Sequence, residues 1–203
     1  MNLPNTLTLL RIFFVPLLVA ALVQQDLFVR WNNELVALGI FLIAAATDLL
    51  DGYLARKWGQ ITTVGTLLDP IADKLLISAA LISLVQIHQV PAWIVILIVG
   101  REFAVSGLRS IAAAEGYTIK ASDLAKTKMI TQVAAITLIM LSIRWAQLGP
   151  LATITIWGAM AFSLISAVDY FWKFWRKVDD QVKRRRRREL LITERRRNRS
   201  VTT

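Results

Sequence analysis

Four aspartates stand in places where a carboxylate is costly. Asp48 and Asp51 lie three residues apart near the end of one apolar segment, and Asp69 and Asp73 lie four apart at the start of the next. A charged side chain at the centre of a membrane helix costs at least ~2.5–3.5 kcal/mol, so those retained there usually serve a function. On helices, residues three or four apart share a face. Two consecutive helices with a short connection can run antiparallel and aim four carboxylates into one pocket. Four like charges cannot stay ionised together without cations. The set contains no His or Cys, and hard oxygen donors suit Mg2+ or Mn2+. Such a set could hold two ions bridged by phosphate oxygens.

The intervening residues fit the same chemistry. Gly52 follows Asp51, and Gly65 precedes Asp69 by four. A missing side chain at either position lets a ligand or a backbone approach closely. Arg56 can fork onto a phosphate. Capping is an alternative for Asp69, since Asp69 before Pro70 reads as a helix N-cap with proline in the first turn. Capping or a salt bridge would explain one such pair, but not four aspartates, two glycines and an arginine in one stretch.

The elements that must position these residues are membrane helices. The 203 residues are 56% hydrophobic, with mean hydropathy +0.53. Six apolar segments, near 7–23, 35–54, 67–87, 92–113, 129–143 and 151–171, approach or exceed the roughly 18–20 residues that span a bilayer. A β-barrel would alternate in polarity, so the expected fold is all-α, with six transmembrane helices. This gives one membrane domain over 1–175 and a basic, flexible cytoplasmic tail over 176–203.

Charge sets the orientation. Residues 24–34 carry only Arg30 as a base, 86–90 carry none, and the fifth turn carries only Arg144. The opposite side holds Arg56, Lys57, Lys120, Lys126, Lys128 and the tail. The positive-inside rule then places both termini in the cytoplasm. Trp31, Trp93, Trp145, Trp172 and Trp175 fall near segment ends, as an aromatic belt would. The tail holds 12 of the 24 basic residues and 4 of the 14 acidic ones, a net +8 of the total +10. Because it directly follows a membrane helix, attraction to anionic lipid is a simpler reading than nucleic-acid binding. The chain has no cysteine, which excludes disulfides, thiolate metal sites and cysteine nucleophiles. The single histidine, His88, reads as a loop residue rather than a catalyst. The start lacks the marks of a cleaved signal peptide and is expected to be retained.

One long pattern resembles a known family. Asp48-Leu-Leu-Asp51-Gly52-Tyr-Leu-Ala55-Arg56, eight residues, then Gly65-Thr-Leu-Leu-Asp69-Pro-Ile-Ala-Asp73 is similar at every defining position to the CDP-alcohol phosphotransferase motif. That family's six-helix membrane fold matches the segment count. The resemblance implies that Asp48, Asp51, Asp69 and Asp73 bind two metal ions holding the diphosphate of a CDP-linked donor. It implies that Asn5, Thr8, Gly52, Ala55, Arg56 and Gly65 bind that donor. It also makes Asp73 the base that deprotonates the acceptor hydroxyl, which attacks the β-phosphorus and releases CMP. A homodimer is expected on the same ground.

Further stretches narrow the acceptor. The opening Asn2-Leu-Pro-Asn5-Thr-Leu-Thr8-Leu-Leu-Arg11, then Gly100-Arg101-Glu102 through Ser106 to Arg109, then Lys126, Lys128 and Gln132, resemble the branch that transfers a phosphatidyl group from CDP-diacylglycerol to glycerol 3-phosphate. Ala125 departs from the glycine expected there. Arg101 and Arg109, eight apart, lie near one helix face. With Lys126 and Lys128 they form a cationic cluster for the acceptor phosphate, although Arg101 could instead pair with Glu102 or another helix. Positive-inside anchoring alone would explain the lysines. Arg11, near a helix start, could snorkel to the interface. Rival readings remain: a sibling enzyme using inositol phosphate, serine or phosphatidylglycerol, a transporter with a carboxylate relay, or a purely structural anchor.

Overall fold

Where no water can satisfy backbone N–H and C=O groups, long apolar segments close their hydrogen bonds internally as helices. A computed structural model describes the backbone of residues 3–24, 33–58, 63–116 and 123–201, and side chains at 6, 9–24, 33–47, 71–116 and 127–179. The described elements are all helical. In order they are α1 (Leu3–Val23), α2 (Asn33–Trp58), α3 (Thr63–Gln86), α4 (Ala92–Ala114), α5 (Asp123–Arg144) and α6 (Gly149–Val201), with a short 3-10 turn at Ala146–Leu148. Every apolar segment read from the sequence falls on one of these helices. Most run several residues past the apolar stretch.

The helices form two groups. In the first, α1 packs along both α2 and α3, more broadly than those two touch each other. In the second, α6 packs along both α4 and α5. Contacts of α2 with α5, and of α3 with α4 and α5, join the groups. Small residues at the first group's contacts, Ala21, Ala37 and Ala44, are fully buried and let backbones approach closely. Phe41, Leu18, Leu81, Leu84, Ile94, Ile98, Ile136 and Met140 fill the common core.

Polarity is arranged inside out. Arg11, Ser83, Gln132, Ser163 and Ser166 are buried, whereas Ile154 is 68% and Trp172 75% exposed. So much outward apolar area suits lipid rather than water. Helix hydroxyls find local partners: Thr47 donates to the Ile43 carbonyl at 2.6 Å and Ser106 to the Glu102 carbonyl at 2.7 Å. Among the described residues, Thr127–Arg144 and Ala146–Asp179 are each long and apolar enough to cross a bilayer, while Leu9–Val23 and Asn33–Thr47 are apolar but shorter. Trp93, Trp145, Trp172 and Trp175 are exposed, as an interfacial belt requires; Trp31 lies outside the described residues. At about 1.5 Å per residue, the 53 residues of α6 extend for about 80 Å, well beyond a hydrocarbon core of about 30 Å.

Two turns show how the chain reverses. After α3, His88 N–H bonds the Val85 carbonyl and Gln89 N–H bonds the Leu84 carbonyl, both at 2.9 Å. This pair of bonds is a Schellman cap, and it puts His88 in the left-handed region at φ 59. The histidine is exposed in a turn, as the sequence suggests. Gly116 takes the equivalent left-handed position after α4, at φ 76, without steric cost. His88→Gly should therefore raise stability by roughly 0.5–1 kcal/mol, read as a small increase in the melting temperature of detergent-purified protein. An unchanged or lower melting temperature would contradict this account of the turn.

Candidate active site

The start of α3 corrects one reading of Asp69. The sequence left a helix N-cap as an alternative for Asp69, with Pro70 in the first turn. The helix opens at Thr63, so Asp69 and Pro70 fall about two turns inside it. Asp69 is therefore not an N-cap, and its retention inside a helix calls for another role. Asp48 and Asp51 lie in the last turns of α2, and α2 touches α3. The backbone thus keeps both aspartate pairs on neighbouring helices at spacings that share a face. The side chains of Asn5, Thr8, Asp48, Asp51, Gly52, Ala55, Arg56, Gly65, Asp69 and Lys126 lie outside the described residues. As a donor set, four carboxylates without nitrogen or sulfur fit a hard divalent cation.

Asp73, the fourth aspartate, is described, and it has a partner from α1. The Arg11 guanidinium is fully buried, and its Nη1 donates to Asp73 Oδ1 at 2.5 Å. The expectation that Arg11 snorkels to the interface is overturned. A guanidinium facing an inward carboxylate loses less by pairing there than by being buried alone. Asp73 keeps 38% of its side chain exposed, so the pair leaves it open to a ligand.

Next to Asp73, cations of α3, α4 and α5 gather about Lys74 and Glu102. Lys74, the next residue, lies within electrostatic reach of Asp73 and of Glu102 and Arg109 on α4. Lys128 on α5 lies within reach of Lys74, Glu102 and Arg101. Three of the four bases singled out from sequence thus occupy one electrostatic neighbourhood, but their environments differ. Arg101 is buried, and its donors are engaged: Nε to the Ser163 carbonyl at 2.9 Å, Nη2 to Ser166 Oγ at 2.8 Å, and Nη1 to Glu102 Oε1 at 2.9 Å. It fastens α4 to α6. Lys128 pairs with the same Glu102 Oε1. Gln132, one turn further along α5, also donates there at 3.2 Å. Glu102 therefore gathers α4 and α5 at the point where Arg101 holds α6. Arg109 stands apart. It is exposed, and its guanidinium carbon lies 5.8 Å from the centroid of the Tyr170 ring.

Sequence reasoning assigned no role to Lys74, to Glu102 as a junction, or to Tyr170. Lys74 carried a signal, being a base inside an apolar segment. Glu102 carried one too, since an acid beside an arginine at membrane depth needs a use. Tyr170 carried none, because an aromatic near the end of a membrane helix reads as part of the interfacial belt.

Comparison with known proteins identifies the family. Residues 1–165 match the family model described as CDP-alcohol phosphatidyltransferase. A Bacillus subtilis protein named CDP-diacylglycerol–glycerol-3-phosphate 3-phosphatidyltransferase is 40% identical over 184 residues, covering 86% of this chain and 95% of that one. A Rickettsia bellii protein of the same name is 36% identical over 173 residues, covering 84% and 93%. The family match takes in both aspartate pairs, Arg11 and the Glu102 junction, so the inside-out helical chain that carries them belongs to the CDP-alcohol phosphatidyltransferase family.

Proposed function

We propose that this protein transfers a phosphatidyl group from CDP-diacylglycerol to sn-glycerol 3-phosphate, releasing CMP and forming phosphatidylglycerol phosphate. The observation that carries the reading is the partly open Asp73 carboxylate next to Lys74, which itself lies within electrostatic reach of Arg109. A base next to a phosphate-binding surface suits an acceptor that is both an alcohol and a phosphate monoester. The names of the similar proteins support the same acceptor.

In this reading Asp48, Asp51, Asp69 and Asp73 would hold two Mg2+ or Mn2+ ions. Such ions would supply charge compensation for the donor diphosphate and the departing CMP. Asn5, Thr8, Gly52, Ala55, Arg56 and Gly65 bind the CDP portion. Asp73, oriented by Arg11, accepts the proton of the acceptor hydroxyl. The freed oxygen attacks the β-phosphorus, and the bond from that phosphorus to the bridging oxygen breaks. Arg109 and Lys126 hold the acceptor phosphate. Arg101 and Lys128, also predicted to do so, are already engaged with Glu102, and here they serve by fixing α4 against α6 and α5.

The chain would cross a bacterial-type cytoplasmic membrane six times, as a homodimer, with both termini and the site on the cytoplasmic side. The basic tail, continuous with α6, would rest against anionic lipid. The test is CMP release by purified protein given both substrates with Mg2+ or Mn2+. Release is expected to depend on glycerol 3-phosphate and to stop when the metal is chelated. Arg109→Ala should raise KM for glycerol 3-phosphate by roughly tenfold or more, the loss of a charge-assisted phosphate contact, with KM for CDP-diacylglycerol little changed. Intact turnover of glycerol 3-phosphate in that variant would sink the acceptor assignment. Absence of CMP release in every lipid environment would sink the enzyme reading.

A further inference from the structure

The inner face of α6 changes character along its length. Its buried residues step in threes and fours through Ala152, Ile156, Ala159, Ser163, Ser166, Tyr170 and Phe174. The two serines face Arg101, the serine 166 hydroxyl and the serine 163 carbonyl both taking its donors. One turn further, the small residues give way to Tyr170, only 6% exposed. Its hydroxyl is buried, with no hydrogen-bond partner among the described residues. Its ring lies beneath the Arg109 guanidinium.

The two arginines of α4 thus meet the same face of α6 in opposite ways. Arg101 spends its donors on that face, while Arg109 meets the face through an aromatic ring. A ring takes no N–H donors in the guanidinium plane, and it favours a flat cation by its quadrupole. It can therefore hold Arg109 in place and leave its fork free for a bidentate anion. Exposed arginines otherwise sample many rotamers, and binding must then cover the cost of ordering them.

We propose that Tyr170 is a positioning residue for acceptor recognition. Its ring seats the Arg109 guanidinium so that the fork meets the phosphate monoester of the acceptor. The inference rests on the reading of Arg109 as a phosphate contact. The ring carries the effect, and the hydroxyl contributes nothing to it.

The test is steady-state kinetics of the full-length enzyme with each substrate varied in turn. Tyr170→Leu is expected to raise KM for glycerol 3-phosphate roughly three- to thirty-fold, the range of a stacked cation, with kcat and KM for CDP-diacylglycerol within about twofold. Tyr170→Phe should restore the wild-type KM. In an Arg109→Ala background, Tyr170→Leu should add no further increase, because the group it seats is gone. Tyr170→Met, whose unbranched side chain adapts better to an irregular gap, carries the same prediction if Tyr170→Leu does not survive purification. An unchanged KM, an equal loss for both substrates, or an additive effect in the Arg109→Ala background would overturn the role of Tyr170. Wild-type enzyme that used a neutral alcohol and refused glycerol 3-phosphate would instead overturn the acceptor reading. The two failures are therefore distinguishable.

Discussion

Asp73→Asn is expected to lower CMP release by roughly two to four orders of magnitude, the usual contribution of a positioned base. The amide keeps the shape of the carboxylate but cannot take the acceptor's proton. The substitution also removes the anion that the buried Arg11 guanidinium bonds at 2.5 Å. Breaking a buried pair by removing one partner costs about 3–5 kcal/mol, so a loss of activity could reflect a loss of fold. Arg11→Met separates the two effects. It leaves a carboxylate that is 38% exposed and can be solvated, so it should destabilise less than Asp73→Asn does. In the double variant the guanidinium that lost this anion is gone as well. Thermal stability should then recover relative to Asp73→Asn, while CMP release stays at the Asp73→Asn level. If Asp73→Asn kept more than about a tenth of wild-type turnover, Asp73 would not be the base. If the double variant were no more stable than Asp73→Asn, the Arg11 pairing would not be the reason for the loss.

The second large effect is structural. Glu102→Ala should cost about 3–5 kcal/mol, because it leaves Arg101 and Lys128 facing each other at membrane depth without their shared anion. At 2–4 °C per kcal/mol for a chain of this size, that is a fall of roughly 6–20 °C in melting temperature. Arg101 would keep its bonds to Ser163 and Ser166, so α4 should stay on α6. The junction with α5 should loosen, because Lys128 and Gln132 both reach Glu102. Adding Lys128→Met to Glu102→Ala removes one of the two stranded cations and should recover roughly 0.5–3 kcal/mol. Thermal unfolding of the purified variants measures this. A Glu102→Ala protein as stable as wild type would show that Glu102 does not hold the junction. A kcat loss with no change in stability would place Glu102 in the chemistry instead.

Tertiary structure also separates the bases that the sequence grouped. Arg101, Arg109, Lys126 and Lys128 read from sequence as one cationic cluster. Spacing alone puts Arg101 and Arg109 on one face of α4, and both do meet α6. Spacing could not tell that α6 offers Arg101 a carbonyl and a hydroxyl but offers Arg109 a ring. That difference depends on which residue of a neighbouring helix, some 60 positions away, stands opposite. No local pattern encodes it.

The residue pattern alone specifies the helical class, the approximate helix spans and the aspartate register. It could do so because lipid leaves the backbone few options, and because spacings of three and four are properties of one helix. It also determined that these carboxylates needed a purpose, since their cost follows from position in an apolar run. Which charge meets which is visible only in the packed helix bundle. It turned Arg11 inward to Asp73, extended α3 upstream so that Asp69 could not be a cap, and made Glu102 the anion that Arg101 and Lys128 share. Those outcomes arise from helix–helix packing, in which burying a charge is tolerable only opposite a particular partner. The aspartates' spacing could be read along one chain, but their partners depend on how the helices pack.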